Sequence, residues 1–217
     1  MVSALGLRKV HLMSDSSVSI AKSIGMEKVV YGVFTLAMVW AWAGADTSHF
    51  WARQILVCLI SAGAIFLYVK SHGVDDFGKY FNKQSYVEGL KKSGLVSLIA
   101  SAIFVVIAWL LHSVNPWNLT HLNAPPIWAA LIFIFLFSPI LETCSRYILQ
   151  PHWGLGGVAF LDAVTFGFAA QNIYVFLFIY LSALYCGVLF SKHGLQTSIV
   201  ARVIMTVGFI VGLFLFS

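Results

Sequence analysis

The sequence predicts an all-α fold, a polytopic membrane helix bundle of about seven transmembrane helices. Three observations carry this. Hydrophobic residues make up 60% of the 217 positions and charged ones 10%, with a mean hydropathy of +0.90, whereas a soluble domain carries roughly 25% charged residues. The apolar residues come in runs of about 20, the length a helix needs to cross hydrocarbon, and not in the alternating segments of about 10 that mark a barrel. The basic residues gather in segments that flank these runs. A net charge of +5 distributed in that way fits topology and contact with anionic lipid, and it argues against nucleic acid as a partner.

Taken in order, residues 1–28 read as a cytoplasmic tail, polar and Ser-rich, with no apolar core of signal-peptide type. Within it, Asp15, Ser16 and Ser17 can cap a short interfacial helix carrying Val18, Ile20 and Ile24. Residues 29–217 form a single transmembrane bundle. The first span is Val29 to Ala43, with Trp40 and Trp42 near its far end as interfacial aromatics. The second is Phe50 to Val69. Residues 70–93 are the longest polar connection, a surface helix pair or ordered loop with five lysines against Asp75, Asp76 and Glu88.

The third span is Gly94 to Leu111. A loop from Ser113 to Pro126 follows, without Lys or Arg, whose Asn-Pro, Pro-Pro and Trp117 mark an interfacial turn. Asn118-Leu119-Thr120 matches a glycosylation sequon by pattern. The fourth span, Ile127 to Leu149, ends at Pro151 and the glycines at 154, 156 and 157. The fifth covers Val158 to Ala170, the sixth Ile173 to Phe190 and the seventh Thr197 to Phe216. With seven spans, every Lys and Arg except Arg53 and Arg202 falls on one side. The positive-inside rule then sets the N-terminus in the cytoplasm and the C-terminus outside.

Four charged residues fall within spans or at their ends: Glu142, Arg146, Asp162 and Arg202. An ionisable residue inside a span is costly, and so it marks a site whose partner must be found. Arg146 lies one turn beyond Glu142 on the same helical face. Glu142, Asp162 and Arg202 each sit about eight residues from the cytoplasmic end of their span, roughly 12 Å deep at the rise of a helix. Two acids and two bases at one depth can neutralise each other, either as a helix-locking cluster or as a polar pocket open to the cytoplasm that also includes Thr206.

Other chemistries find little here. The histidines lie in loops or tails, and a zinc site needs about three converging protein ligands, so neither metal nor cofactor is expected. Cys58, Cys144 and Cys186 stand in apolar surroundings at unrelated spacings and read as small hydrophobes. No H-E-x-x-H or G-x-S-x-G sequence occurs.

Residues 127–210 resemble the CAAX protease and bacteriocin-processing family of intramembrane endopeptidases, which includes the type II CAAX prenyl endopeptidases. The family's first motif, E-E-x-x-x-R, corresponds to Leu141-Glu142-Thr143-Cys144-Ser145-Arg146, followed by a similar continuation Tyr147-Ile148-Leu149-Gln150-Pro151. Its F-x-x-x-H motif falls on Phe166 to Ala170, and its H-x-x-x-N motif on Arg202 to Thr206. The resemblance implies that the first glutamate and the first histidine activate water, and that the last histidine and asparagine hold the site and stabilise the oxyanion. Here those positions are Leu141, Ala170, Arg202 and Thr206. Alanine takes no proton and an arginine side chain stays protonated.

The expected function is therefore a multi-pass, non-catalytic binding or regulatory relative of these proteases, a pseudoprotease in a bacterial inner membrane. Its partners would be membrane lipids and a peptide, a lipidated peptide or a transmembrane helix. One alternative is an active CAAX-like endopeptidase with Glu142 as its catalytic residue. Another is a small transporter or a structural membrane subunit.

Overall fold

A computed structural model describes residues 50–81, 86–114, 124–167 and 173–216, together with Lys28, Val29 and Gly32. The rest of the tail and first span, the sequon, Ala170 and the tip at 82–85 lie outside the described residues. Those described are almost all helical, with no strand among them. Four helical stretches are long and apolar enough to cross a membrane, Tyr86–Leu110, Ile127–Thr165, Ile173–His193 and Leu195–Leu215, with a shorter apolar helix at Gln54–Lys70.

The burial pattern is that of a protein solvated by hydrocarbon. Phe66, Leu95, Ile127 and Phe135 are each about two-thirds exposed, while Arg146, Glu142, Asp162 and Thr165 are buried. In water that arrangement would expose apolar surface and bury charge. In a bilayer it places each group where its solvent or its partner is. The chain is an integral membrane protein by this measure.

The first described helix, α1 (Phe50–His72), is followed by the short α2 (Val74–Phe81). The polar connection thus contains a helix at its start, and the expected surface pair is not its whole content. In α2, Phe77 and Tyr80 point inward onto Tyr147, with ring centroids 5.0 and 5.2 Å away, while Asp75 and Lys79 are exposed. Next comes α3 (Tyr86–Val114), which begins eight residues before the expected third span. Its first turns carry Glu88, Lys91 and Lys92 out of the apolar zone.

The fourth limb, α4, is built of four consecutive segments: α-helical Ile127–Ile132, π-helical Phe133–Phe137, α-helical Ser138–Thr143 and π-helical Cys144–Leu149. Each π segment ends two residues before a proline, Pro139 in one case and Pro151 in the other. A proline has no N–H to give and its ring crowds the carbonyl four residues back. Widening the preceding turn relieves both demands.

Helix α5 (Gln150–Gly167) continues through Pro151 and is broken at Gly154, whose φ of 68° and ψ of 171° suit glycine alone. The chain doubles back there. Arg146 and Asp162 are in contact at 3.6 Å, whereas 16 residues of straight helix would separate them by about 24 Å. The fourth and fifth spans are therefore two limbs of a hairpin, turned by Gly154 and not by the whole 151–157 stretch. Gly156 and Gly157 are helical.

The last two helices, α6 (Ile173–His193) and α7 (Leu195–Phe216), are joined by Gly194 alone, at φ 92°. Its N–H caps α6 through the Phe190 carbonyl at 2.9 Å. Helix α7 is the centre of the bundle and packs on α3, α6 and α4.

The α3–α7 seam is made of small residues four apart. On α3 these are Gly89, Ser93, Ser97 and Ser101; Gly89 faces Thr197 and Ser101 faces Gly208 on α7, and one turn on Gly212 receives the ring of Phe104. Ser101 Oγ donates to the Ser97 carbonyl at 2.8 Å and reaches the Ile204 carbonyl across the seam at 3.3 Å. Small side chains let two helix backbones approach where no aqueous hydrophobic effect drives them together. A Cβ on Gly208 would stand 2.4 Å from Ser101 Cβ. Gly208→Ala should therefore push the helices apart and lower stability by about 1–3 kcal/mol, read as the unfolding midpoint in detergent. Gly63→Ala on α1, whose added methyl meets nothing within 4 Å, should leave the midpoint unchanged or slightly raised.

Candidate functional site: a buried charge cluster

Four helical limbs converge on one charged centre. On α4, Arg146 Nε donates to Glu142 Oε1 at 2.7 Å, the two residues being one turn apart. The hairpin at Gly154 brings Asp162 of α5 alongside. Its Oδ1 accepts from Ser145 Oγ at 3.0 Å and its Oδ2 lies 3.6 Å from Arg146 Nη2. From α7, Arg202 approaches both acids, with Nε 4.0 Å from Glu142 Oε2 and Nη2 3.9 Å from Asp162 Oδ2. Ser198, one turn before Arg202, holds Glu142 Oε1 through its hydroxyl, which also lies 2.9 Å from the Cys186 carbonyl.

Arg146 is wholly buried and is the most fully engaged of the four. Beyond Glu142, its Nη2 donates to the Ala183 carbonyl of α6 at 2.9 Å and its Nη1 to Gln150 Oε1 at 3.2 Å. Gln150 Nε2 in turn donates to the Gly187 carbonyl at 3.2 Å and to Ser191 Oγ at 3.1 Å. Gly187 makes this possible. A Cβ there would come 2.1 Å from Leu155 Cδ1 and 2.9 Å from Gln150 Oε1.

Glu142, Arg146, Asp162 and Arg202 thus come together, and Thr206 stands apart from them. Thr206 Oγ1 bonds its own helix at the Arg202 carbonyl, 2.8 Å away, and lies 3.0 Å from Ser138 Oγ. Both hydroxyls line a small cavity of about 40 Å³ that also touches Arg202, Ser182 and Leu141. Its position differs from the expected pocket open at the Gly194 end. Phe133, Phe178 and Phe209 line it on the far side of Arg202. Toward Gly194 the centre is closed by Gln150 and by the Tyr147, Phe77 and Tyr80 aromatic contacts, because α2 folds back over that end.

Three parts of the site escaped sequence reading: Ser198, Gln150 and Gly187. The first two had a usable signal, since Gln150 follows Arg146 by one turn and Ser198 precedes Arg202 by one turn. Gly187 had none, because its role is space. Among the described residues, no three His, Cys, Asp or Glu side chains gather as a metal site would need, and the three cysteines are free and buried.

The cluster holds two carboxylates and two guanidiniums and is formally neutral. At 4 Å and an effective dielectric of about 20, each opposite pair attracts by about 4 kcal/mol. Burying each ion costs several kcal/mol. The net gain from the whole is small, whereas losing one partner is expensive. Arg146→Met should therefore destabilise the protein by about 3–5 kcal/mol, measured by unfolding in detergent. Adding Asp162→Asn to that variant should recover part of the loss.

Compared with protein-family models, curated proteins and solved structures, the chain finds no match.

Proposed function

We propose that the chain is a non-catalytic, multi-pass relative of the CAAX-type intramembrane endopeptidases, a pseudoprotease that keeps a protease-like charged centre for binding or regulation. On this reading it has seven spans, its N-terminus is cytoplasmic and its membrane is a bacterial inner membrane. Its partner is a peptide, a lipidated peptide or a transmembrane helix.

The observation that carries the reading is Arg202, whose guanidinium stands 4.0 Å from Glu142 Oε2. The family pattern calls for a histidine at that position. In the family that histidine holds the site and stabilises the oxyanion; a guanidinium can donate to an oxygen but cannot take its proton, and the positions of the water-activating glutamate and histidine are Leu141 and Ala170 here. Glu142 Oε1 is held by Arg146 and Ser198, while its Oε2 has no hydrogen-bond partner among the described residues and faces the Arg202 guanidinium. Water activation needs a base within hydrogen-bond reach of the attacking oxygen, and the cavity offers only Arg202 and hydroxyl groups.

The neutrality of the cluster also favours a second reading, a structural subunit in which the charges lock α4, α5 and α7 together. Exchanging Glu142 and Arg146 should restore folding if the charges serve only that end. The proposed reading expects purified protein in nanodiscs to leave prenylated C-terminal peptides and transmembrane peptides uncleaved over long incubation. Cleavage that disappears in Glu142→Gln would overturn it in favour of an altered endopeptidase.

A further inference from the structure

The cavity of about 40 Å³ beside Arg202 lies where α4, α6 and α7 meet and takes polar groups from each: Ser138 from α4, Ser182 from α6, and Arg202 and Thr206 from α7. Phe133, Ile179 and Phe209 make much of the remaining wall apolar. An apolar cavity stays dry, whereas water occupies one that gives it room and two to four hydrogen-bonding partners. The polar groups therefore decide what the cavity holds.

Two of them are unsatisfied. Arg202 is nine-tenths buried, and its guanidinium makes no hydrogen bond among the described residues, its contacts with Glu142 and Asp162 being 4.0 and 3.9 Å long. Ser182 is 6% exposed, and its hydroxyl likewise bonds to no described residue. A serine inside a helix can return its proton to the carbonyl four residues back, as Ser93, Ser101 and Ser191 do. Ser182 does not, and it borders the cavity instead.

The other two have acceptor capacity left. Thr206 gives its hydroxyl hydrogen to the Arg202 carbonyl at 2.8 Å, so Ser138 is the donor in their 3.0 Å contact. Ser138 Oγ then keeps both lone pairs. The wall thus offers guanidinium donors, a free hydroxyl and a hydroxyl that can only accept.

A ligand matching that set both donates and accepts. It is uncharged, since the four-residue cluster is already neutral and an anion would add an uncompensated buried charge. It is also very small, because about 40 Å³ has room for one to three water molecules at roughly 10–15 Å³ each.

We infer that the cavity beside Arg202 is a water-binding site, whose water accepts from the Arg202 guanidinium, donates to Ser138 and exchanges hydrogen bonds with Ser182, joining α4, α6 and α7 inside the membrane. The site lies deep, since Arg202 is seven residues into α7, roughly 10 Å along the helix. No base lines it, so the water is held and not activated. The inference stands on this geometry and does not depend on kinship with proteases.

The test uses the full chain in two measurements. Crystals grown in a lipid mesophase, at a resolution that shows ordered water, should place at least one water within hydrogen-bond reach of Arg202, Ser182 and Ser138. A bromide soak should leave no anomalous peak there. In nanodiscs, a brief X-ray pulse makes hydroxyl radicals from bound water, and the oxidised side chains are mapped by mass spectrometry. Met205, 4% exposed and in the cavity wall, is expected to oxidise, while Cys144, fully buried and outside the cavity, stays unmodified. Ser182→Val replaces the hydroxyl by one methyl group and adds a second to fill the space. Oxidation of Met205 should then fall to the Cys144 level, with the unfolding midpoint confirming that the variant is folded. Four results would each overturn the proposal: a cavity without density, with Met205 as inert as Cys144; bromide bound at Arg202, which would make it an anion site; undiminished oxidation of Met205 in folded Ser182→Val; or an Arg202 guanidinium closed directly onto Glu142 and Asp162 in the crystal.

Discussion

A fully buried arginine in a membrane span sets the terms for much of this structure. Arg146 carries five N–H donors that lipid cannot satisfy, and the fold supplies acceptors from three directions. Glu142 lies on its own limb, the Ala183 carbonyl on α6 and Gln150 one turn onward. Asp162 adds a second negative charge from α5. Each acceptor fixes the placement of an element: the hairpin at Gly154 must bring Asp162 back, and α6 must lie near enough for its backbone to be reached. The missing side chain at Gly187 permits that close approach. The arginine and the packing around it are one requirement seen twice.

The shape of α4 follows from the same need. In a regular 3.6-residue helix, positions four apart advance by about 40° around the axis, so residues 138 to 150 would drift by about 120°. Yet Ser138, Glu142, Arg146 and Gln150 are all buried against the neighbouring limbs. A π turn holds more residues per turn than an α turn, so the alternation of α and π segments cancels the drift. Pro139 and Pro151 favour that alternation where it is needed. Along this row Ser138 and Glu142 meet α7 while Arg146 and Gln150 meet α6, so the polar side chains pass from one neighbour to the next.

How much of this could be read in the sequence depended on how locally each feature is encoded. The helical membrane class follows from composition, and the meeting of Glu142, Arg146, Asp162 and Arg202 follows from their common depth, since buried charges have few stable arrangements. The helix ends were less legible. Residues 70–93 look like one polar stretch, yet α1 and α3 extend into it because a helix can carry lysines past the membrane face without breaking. The π segments left only their prolines as a trace. Depth arithmetic gives a level along the membrane normal and no direction, so it did not say on which side of Arg202 a cavity lies. Only α2, folding Phe77 and Tyr80 over Tyr147, decides which end is closed. The role of Gly187 was invisible, being a consequence of how closely the helices approach.

Arg202 differs in kind from Arg146. Both guanidiniums face the same pair of carboxylates, but Arg146 is held at hydrogen-bond distance while Arg202 stands off at 3.9 to 4.0 Å. An ion pair at that separation retains much of its Coulomb attraction, which falls only as 1/r, but forfeits the hydrogen bond, which is short-ranged and directional. Arg202 therefore balances the charge of the acids without being saturated by them. The two carboxylate oxygens that face it, Glu142 Oε2 and Asp162 Oδ2, have no hydrogen-bond partner among the described residues, so the centre is balanced in charge and incomplete in hydrogen bonds.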